Sequence, residues 1–230
     1  MINKKSKDNI VESISLFLIA VVIFILSTLQ VKDMLSIWNQ NDEFGVWQGG
    51  AWLLGLDWTE VTSTNGFYGY GYGFILAIFI KLFGQDTILM TQLAVYFQAL
   101  MHTGCIFIAR YCIKKLFPKV GGATRIIASS VCILTVPDLF YIYTFFSECL
   151  LRFLVWMIWG IVVSYYSNKK WYKIICIDLV AIYAFSVHQR CILLIAVTFM
   201  LTLYEIIIYL KENGINIEII ITMFLLLGRY

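Results

Sequence analysis

Asp42 and Glu43 are the residues of this chain whose type and spacing best suit acid–base chemistry. They are adjacent carboxylates in the run Asn39-Gln40-Asn41-Asp42-Glu43-Phe44, which opens the first long polar interval after the first apolar stretch. Such a pair is either a solvated loop or a reactive one. The segment that follows argues for the second. Phe44, Trp47, Ala51, Trp52, Leu54 and Gly55 are spaced as an amphipathic helix lying along a membrane interface, with its tryptophans at headgroup depth. A carboxylate held against a bilayer and partly desolvated can take the proton of a hydroxyl.

Other candidates are scattered along the chain. Ser147-Glu148 precedes a long apolar run, and Arg152 stands four residues on, on the same helix face. That arrangement is either a helix cap with an orienting ion pair or a pair of charges facing an aqueous cavity. His188-Gln189-Arg190 lies between two apolar runs; its arginine is a phosphate fork or a snorkelling turn residue. Asp57-Trp58 follows a Gly55 stop. Asn65-Gly66-Phe67-Tyr68-Gly69-Tyr70-Gly71-Tyr72-Gly73 alternates glycine with aromatics. The glycines permit close backbone approach, and Tyr70 and Tyr72 either stack on a sugar ring or anchor at the interface. Asp138 follows Pro137, which opens the backbone of its helix. Asp178 and the lone His102 read as structural.

What must position these groups is a membrane. Hydrophobic residues make up 61% of the chain and charged residues 13%, and the mean hydropathy is +0.84. That composition excludes a soluble domain and fits one polytopic, all-α transmembrane domain over 1–230. Apolar runs at 13–30, 88–109, 126–146, 149–166, 174–188, 191–210 and 217–228 predict about seven spanning helices, because lipid leaves unpaired backbone no partner. The six cysteines lie singly in or beside these runs and read as buried thiols. Met1-Ile2-Asn3-Lys4-Lys5-Ser6-Lys7 ahead of the first run reads as an uncleaved anchor. The net charge of +3 is no mark of nucleic-acid binding, since the basic residues cluster between apolar runs.

The run 74–83 is too short to span and is expected at the interface. Residues 31–87 then form one outer loop. Lys4, Lys5, Lys7, Arg110, Lys114, Lys115, Lys119, Arg125, Lys169, Lys170, Lys173 and Lys211, out of 17 basic residues, fall on the cytoplasmic side with the N-terminus. Asp42, Glu43, Asp57, Asp86, Glu148, His188 and Arg190 fall on or near the outer face, as one active site requires.

The order of these features resembles the bacterial GT-C class of integral membrane glycosyltransferases. The likeness runs through an uncleaved first helix, an outer loop opening on Asp42-Glu43, and Ala51-Trp52-Leu53-Leu54-Gly55-Leu56-Asp57-Trp58. It continues through a Tyr-Gly-rich entry to Lys81-Leu82-Phe83-Gly84, then Pro137, Ser147-Glu148 and Arg190. It covers the whole chain through short motifs in a shared order. Members of the class run longer, so the chain is expected to correspond to their N-terminal catalytic portion. The resemblance implies a polyprenyl-phosphate-linked sugar as donor and direct displacement at its anomeric carbon. Asp42 or Glu43 would take the acceptor's proton, or hold a divalent metal that does so. Arg190, with His188, would stabilise the departing phosphate, and Glu148, Asp57, Tyr70 and Tyr72 would line the substrate site.

The competing readings are a lipid flippase or transporter subunit and a truncated, inactive relative. Transport favours paired charges at midplane and internal repeats; the halves of this chain show no convincing repeat.

Overall fold

The computed structural model describes residues 4–34, 41–58, 69–145 and 147–214, with the backbone alone at 4–8, 41–42, 136–138 and 140. Among them every regular element is helical. In order these are α1 (Lys4–Thr28), a 3-10 turn (Val31–Asp33), α2 (Asn41–Leu53), α3 (Tyr70–Phe83), α4 (Thr87–Leu116), α5 (Gly122–Val131), α6 (Val136–Tyr143), α7 (Glu148–Ser167), α8 (Trp171–Val187), a second 3-10 turn (Gln189–Cys191) and α9 (Ile192–Glu212). Four stretches are long and apolar enough to cross a membrane: Asn9–Asp33, Thr87–Leu116, Glu148–Ser167 and Gln189–Glu212. The expected run 217–228 lies outside the described residues.

The run 126–146 is not one helix. Pro137 has no N–H to give Ile133 four residues back, and inside a continuous helix its ring would strike that carbonyl. The chain instead leaves α5 after Val131 and restarts as α6, with the proline in the first turn, where a missing N–H costs nothing. At 17 residues, or about 25 Å, α8 sits at the lower limit for a span. The short run at 74–83 extends into α3, 14 residues or about 21 Å long.

Charge pairing fixes the directions of the long helices. Glu12 in α1 takes Arg110 of α4 at 2.9 Å and Arg125 of α5 at 2.7 Å, so α1 and α4 are antiparallel. Lys114 adds a hydrogen bond to Asn9 at the same end. Helix α7 runs parallel to α4: Cys149 meets Gln98, Phe153 faces Gly104 and Ile108 faces Gly160. The end of α7 therefore reaches the end of α4. There Lys169 pairs with Glu205 of α9 at 3.1 Å, and Lys173 donates to the Ser164 carbonyl. Every basic cluster in the described residues from α4 onward thus shares one end with the start of α1.

Helix α8 carries the chain away from that basic end and meets α3. Gly71 sits so close to α8 that a Cβ there would lie 2.7 Å from the Val187 nitrogen and overlap the Ser186 hydroxyl. On the other side of α3, a Cβ on Gly73 would come within 2.9 Å of the Gly49 backbone of α2. The glycines of the Tyr-Gly run are there for their size. They let three backbones touch.

Helix α2 does not lie free on the surface of the protein. Val46, Trp47 and Ala51 are buried, and Trp47 is 0% exposed against Phe145, so it cannot serve as an interfacial anchor. Packing against α3 and the α6–α7 junction overrides the interfacial reading; Trp52 alone of the pair is exposed. Trp47, Tyr72, Phe145, Leu150 and Val187 belong to one apolar core joining α2, α3, α7 and α8.

Candidate functional site

The first turn of α2 points Glu43 into that core. The residue is 0% exposed, and its Oε1 accepts the backbone N–H of Phe145 at 2.9 Å. Its Oε2 is buried with no hydrogen-bond partner among the described residues. Burial pushes the carboxyl up to about 7, and the single N–H from Phe145 only partly opposes the shift. A carboxylate tuned to neutral pH, with one oxygen uncommitted, suits proton transfer in either direction. Asp42 shares the first turn of α2, but its side chain lies outside the described residues.

Phe145 presents its N–H because α6 ends just before it. The Trp47 ring packs edge-on against the Phe145 ring at 5.1 Å between centroids. From α4, the fully buried Gln98 donates its Nε2 to the carbonyls of Ile142, at 3.3 Å, and Thr144, at 3.2 Å. Its own backbone carbonyl accepts Cys149 Sγ at 3.4 Å, which ties in the start of α7. Gln98 was not among the residues expected from sequence, although a glutamine inside the run 88–109 is itself a signal.

The same core and the α6–α7 junction carry further polar atoms with no partner among the described residues. They are Trp47 Nε1, the Tyr72 hydroxyl, Gln98 Oε1, the Thr144 and Ser147 hydroxyls and Glu148 Oε2. Buried polar groups are normally satisfied, so such a cluster marks a place for water or a ligand. It mixes donors with acceptors.

The expected site residues divide. Glu43 meets the Phe145 backbone, Tyr72 lies within electrostatic reach of Cys149 and Tyr183, and Glu148 lies within reach of His188. Glu148 opens α7, and His188, 2% exposed at the end of α8, lies within electrostatic reach of Glu148 and Arg190. The His188 Nδ1 accepts the Arg190 backbone N–H at 3.1 Å, which turns the exposed Arg190 at the rim. Tyr70 stays outside the core, about half exposed, with its ring 5.2 Å from Trp52. Asp57 stands apart. It is exposed beyond the far end of α2, which lies about 15 Å of helix from Glu43, and its neighbours Leu56 and Trp58 line a pocket with Lys81 and Asp86 at the α3–α4 turn. The Asp138 side chain lies outside the described residues. Asp178 accepts a hydrogen bond from Thr202 at 2.8 Å, as a residue joining α8 to α9.

No three His, Cys, Asp or Glu side chains among the described residues gather as metal ligands. No step below runs through a metal. The large grooves lie elsewhere. One of about 650 Å³ between α4, α7 and α8 and one of about 640 Å³ between α1 and α6 have mainly apolar walls that carry no carboxylate. Compared with protein-family models, curated proteins and solved structures, the chain matches none.

Proposed function

We propose that the protein is a membrane glycosyltransferase that moves a sugar from a polyprenyl-phosphate donor to an acceptor hydroxyl at the outer face of the bilayer. The observation that carries this reading is the set of unpartnered donors and acceptors on the elements that pack with α2, among them the second Glu43 oxygen. A ligand whose groups each both donate and accept answers such a mixed set, and a sugar is built of those groups.

Sidedness supports it. The basic clusters share one end, and the positive-inside rule assigns that end, with the N-terminus, to the cytoplasm. Gln98 lies about 18 Å along α4 from Arg110, so Glu43 belongs to the opposite, outer half. The four long helices, α8 and the broken α5–α6 pair would supply six crossings, and the apolar sequence of 217–228 supports a seventh.

In the reaction, the Glu43 carboxylate takes the acceptor's hydroxyl proton as the oxygen bonds to the anomeric carbon. Asp42 is the second carboxylate available for that role. The bond from that carbon to the phosphate oxygen breaks, and the polyprenyl phosphate leaves with the electron pair. Arg190, steadied by His188, meets the charge that develops on the phosphate.

The test is transfer from a panel of polyprenyl-phosphate sugars by the protein in liposomes. Transfer that Glu43→Gln abolishes is the expected result; no transfer from any donor overturns the reading. Asp178, and Glu205 held by Tyr165 and Lys169, are carboxylates within apolar helices and favour the transporter reading. Flux across the same liposomes without sugar transfer would be its mark.

A further inference from the structure

We propose that Gln98 is a positioning residue for Glu43: by gripping the carbonyls of Ile142 and Thr144 it ends α6 at the point that aims the Phe145 N–H at the Glu43 carboxylate. The inference rests on Glu43 being the proton-accepting group of the proposed transfer.

The geometry is a short relay. Ile142 and Thr144 stand where α6 gives way to extended backbone, with Thr144 at φ −104° and ψ 140°. Carbonyls at a helix end have no intrahelical donor and need one from elsewhere. Gln98 supplies both from a single amide, and the next backbone group along, the Phe145 N–H, is the one that Glu43 accepts. Gln98 is itself 0% exposed. A lone amide buried in a membrane-length helix is costly unless its bonds matter to what it holds. Its contact with Cys149 Sγ sets the start of α7, so the segment bearing Thr144, Phe145, Ser147 and Glu148 is tied to α4 from both sides.

Gln98→Met keeps the shape of the side chain and removes both donors. With the segment released, the Phe145 N–H no longer favours the ionised carboxylate, and Glu43 should hold its proton to higher pH. The measurement is the infrared band of the protonated Glu43 carboxyl followed against pH in the full chain in lipid nanodiscs, assigned by its loss in Glu43→Gln. Tyr72, Glu148 and His188, the other titratable groups named on the elements packed here, stay unaltered in every variant.

The expected result is an upward shift of the midpoint by about one pH unit in Gln98→Met. Met90→Ala, a buried change elsewhere on α4, should leave the midpoint alone, which separates positioning from general loosening. If Gln98→Met does not fold, Gln98→Asn keeps an amide one methylene shorter and should shift the midpoint the same way by less. An unmoved midpoint in whichever of the two folds overturns the proposal. This readout needs no turnover, so a failure of the positioning proposal (an unmoved midpoint) is told apart from a failure of the transferase reading (no transfer from any donor).

Discussion

The backbone N–H of Phe145 meets the Glu43 carboxylate at 2.9 Å across 102 residues of sequence. That one bond joins α2 to the α6–α7 junction and leaves the second carboxylate oxygen uncommitted. A carboxylate bound this lightly in an apolar core is poised between its two protonation states, which proton transfer requires and a structural ion pair does not. Glu12 shows the contrast, since both its oxygens are taken by arginines.

The first prediction concerns pH. Glu43 titrates near 7 in the folded chain against 4.5 for the free group, so between those values the folded state binds the extra proton. Its contribution to stability is fully present below about 4.5 and is lost as pH rises through about 7. Thermal unfolding in detergent should show stability falling across that window, and Glu43→Gln should flatten the fall. Activity should run the other way, rising as the carboxylate ionises with a limb near 7. A flat stability profile in the unmodified chain would mean that Glu43 is not buried as described.

The Glu43→Gln rate is the second prediction. Loss of a general base costs about 10²–10⁴-fold in turnover, and the amide keeps the shape of the acid. Folded yield should hold because Oε1 still accepts the Phe145 N–H. Near-normal turnover would remove Glu43 from the chemistry and make the Glu148 end of α7 the better candidate.

Glu43 was legible in the sequence because residue type and position coincided: a carboxylate pair at the mouth of a polar interval. Glu148, His188 and Arg190 were legible for the same reason, as charges at the ends of apolar runs. The partner that matters most was not, since a backbone N–H carries no residue signature and any residue at 145 supplies one. Gln98 was visible as an oddity, but its partners lie 44 and 46 residues on and only the fold selects them. Trp47 misled because its helical spacing fits an interfacial stripe as well as a core stripe; tertiary packing decides between them. The break at Pro137 was half legible: the proline announced it, and the hydropathy of 126–146 ran straight through it.

A third prediction tests the contact of α3 with α8. Gly71→Ala puts a methyl group against the Val187 nitrogen and the Ser186 side chain, where backbone cannot yield cheaply. It should destabilise the fold by about 1–3 kcal/mol. Gly121→Ala, whose Cβ meets nothing within 4 Å, is the control and should be near neutral. Equal melting temperatures for the two would contradict the close approach.

The fourth prediction is at the basic end. Glu12 is 4% exposed between Arg110 and Arg125, so Glu12→Ala leaves two half-buried guanidinium groups facing each other. Removing one partner of such a cluster costs about 3–5 kcal/mol, far more than the cluster contributes relative to apolar packing. Folded yield should drop sharply, and Glu12→Ala with Arg125→Leu should recover part of it. No loss in the single variant would mean that solvent reaches the arginines.

The last prediction decides sidedness, on which the outer-face reading depends. Lys115 sits at the exposed end of α4, and Gln85 at the exposed turn between α3 and α4. The helix between them, Thr87–Leu116, is 30 residues or about 45 Å long, enough to cross the hydrocarbon core and clear both headgroup layers. As a span, it would put one of the two positions on each side. With the six native cysteines replaced, Gln85→Cys should react with an impermeant thiol reagent in intact cells, and Lys115→Cys only after the membrane is opened. The same reagent should report Lys170→Cys as shielded, because α7 runs parallel to α4 and ends beside it. The reverse pattern would turn the Glu43 cluster toward the cytoplasm, and a donor presented at the outer leaflet could not then reach it.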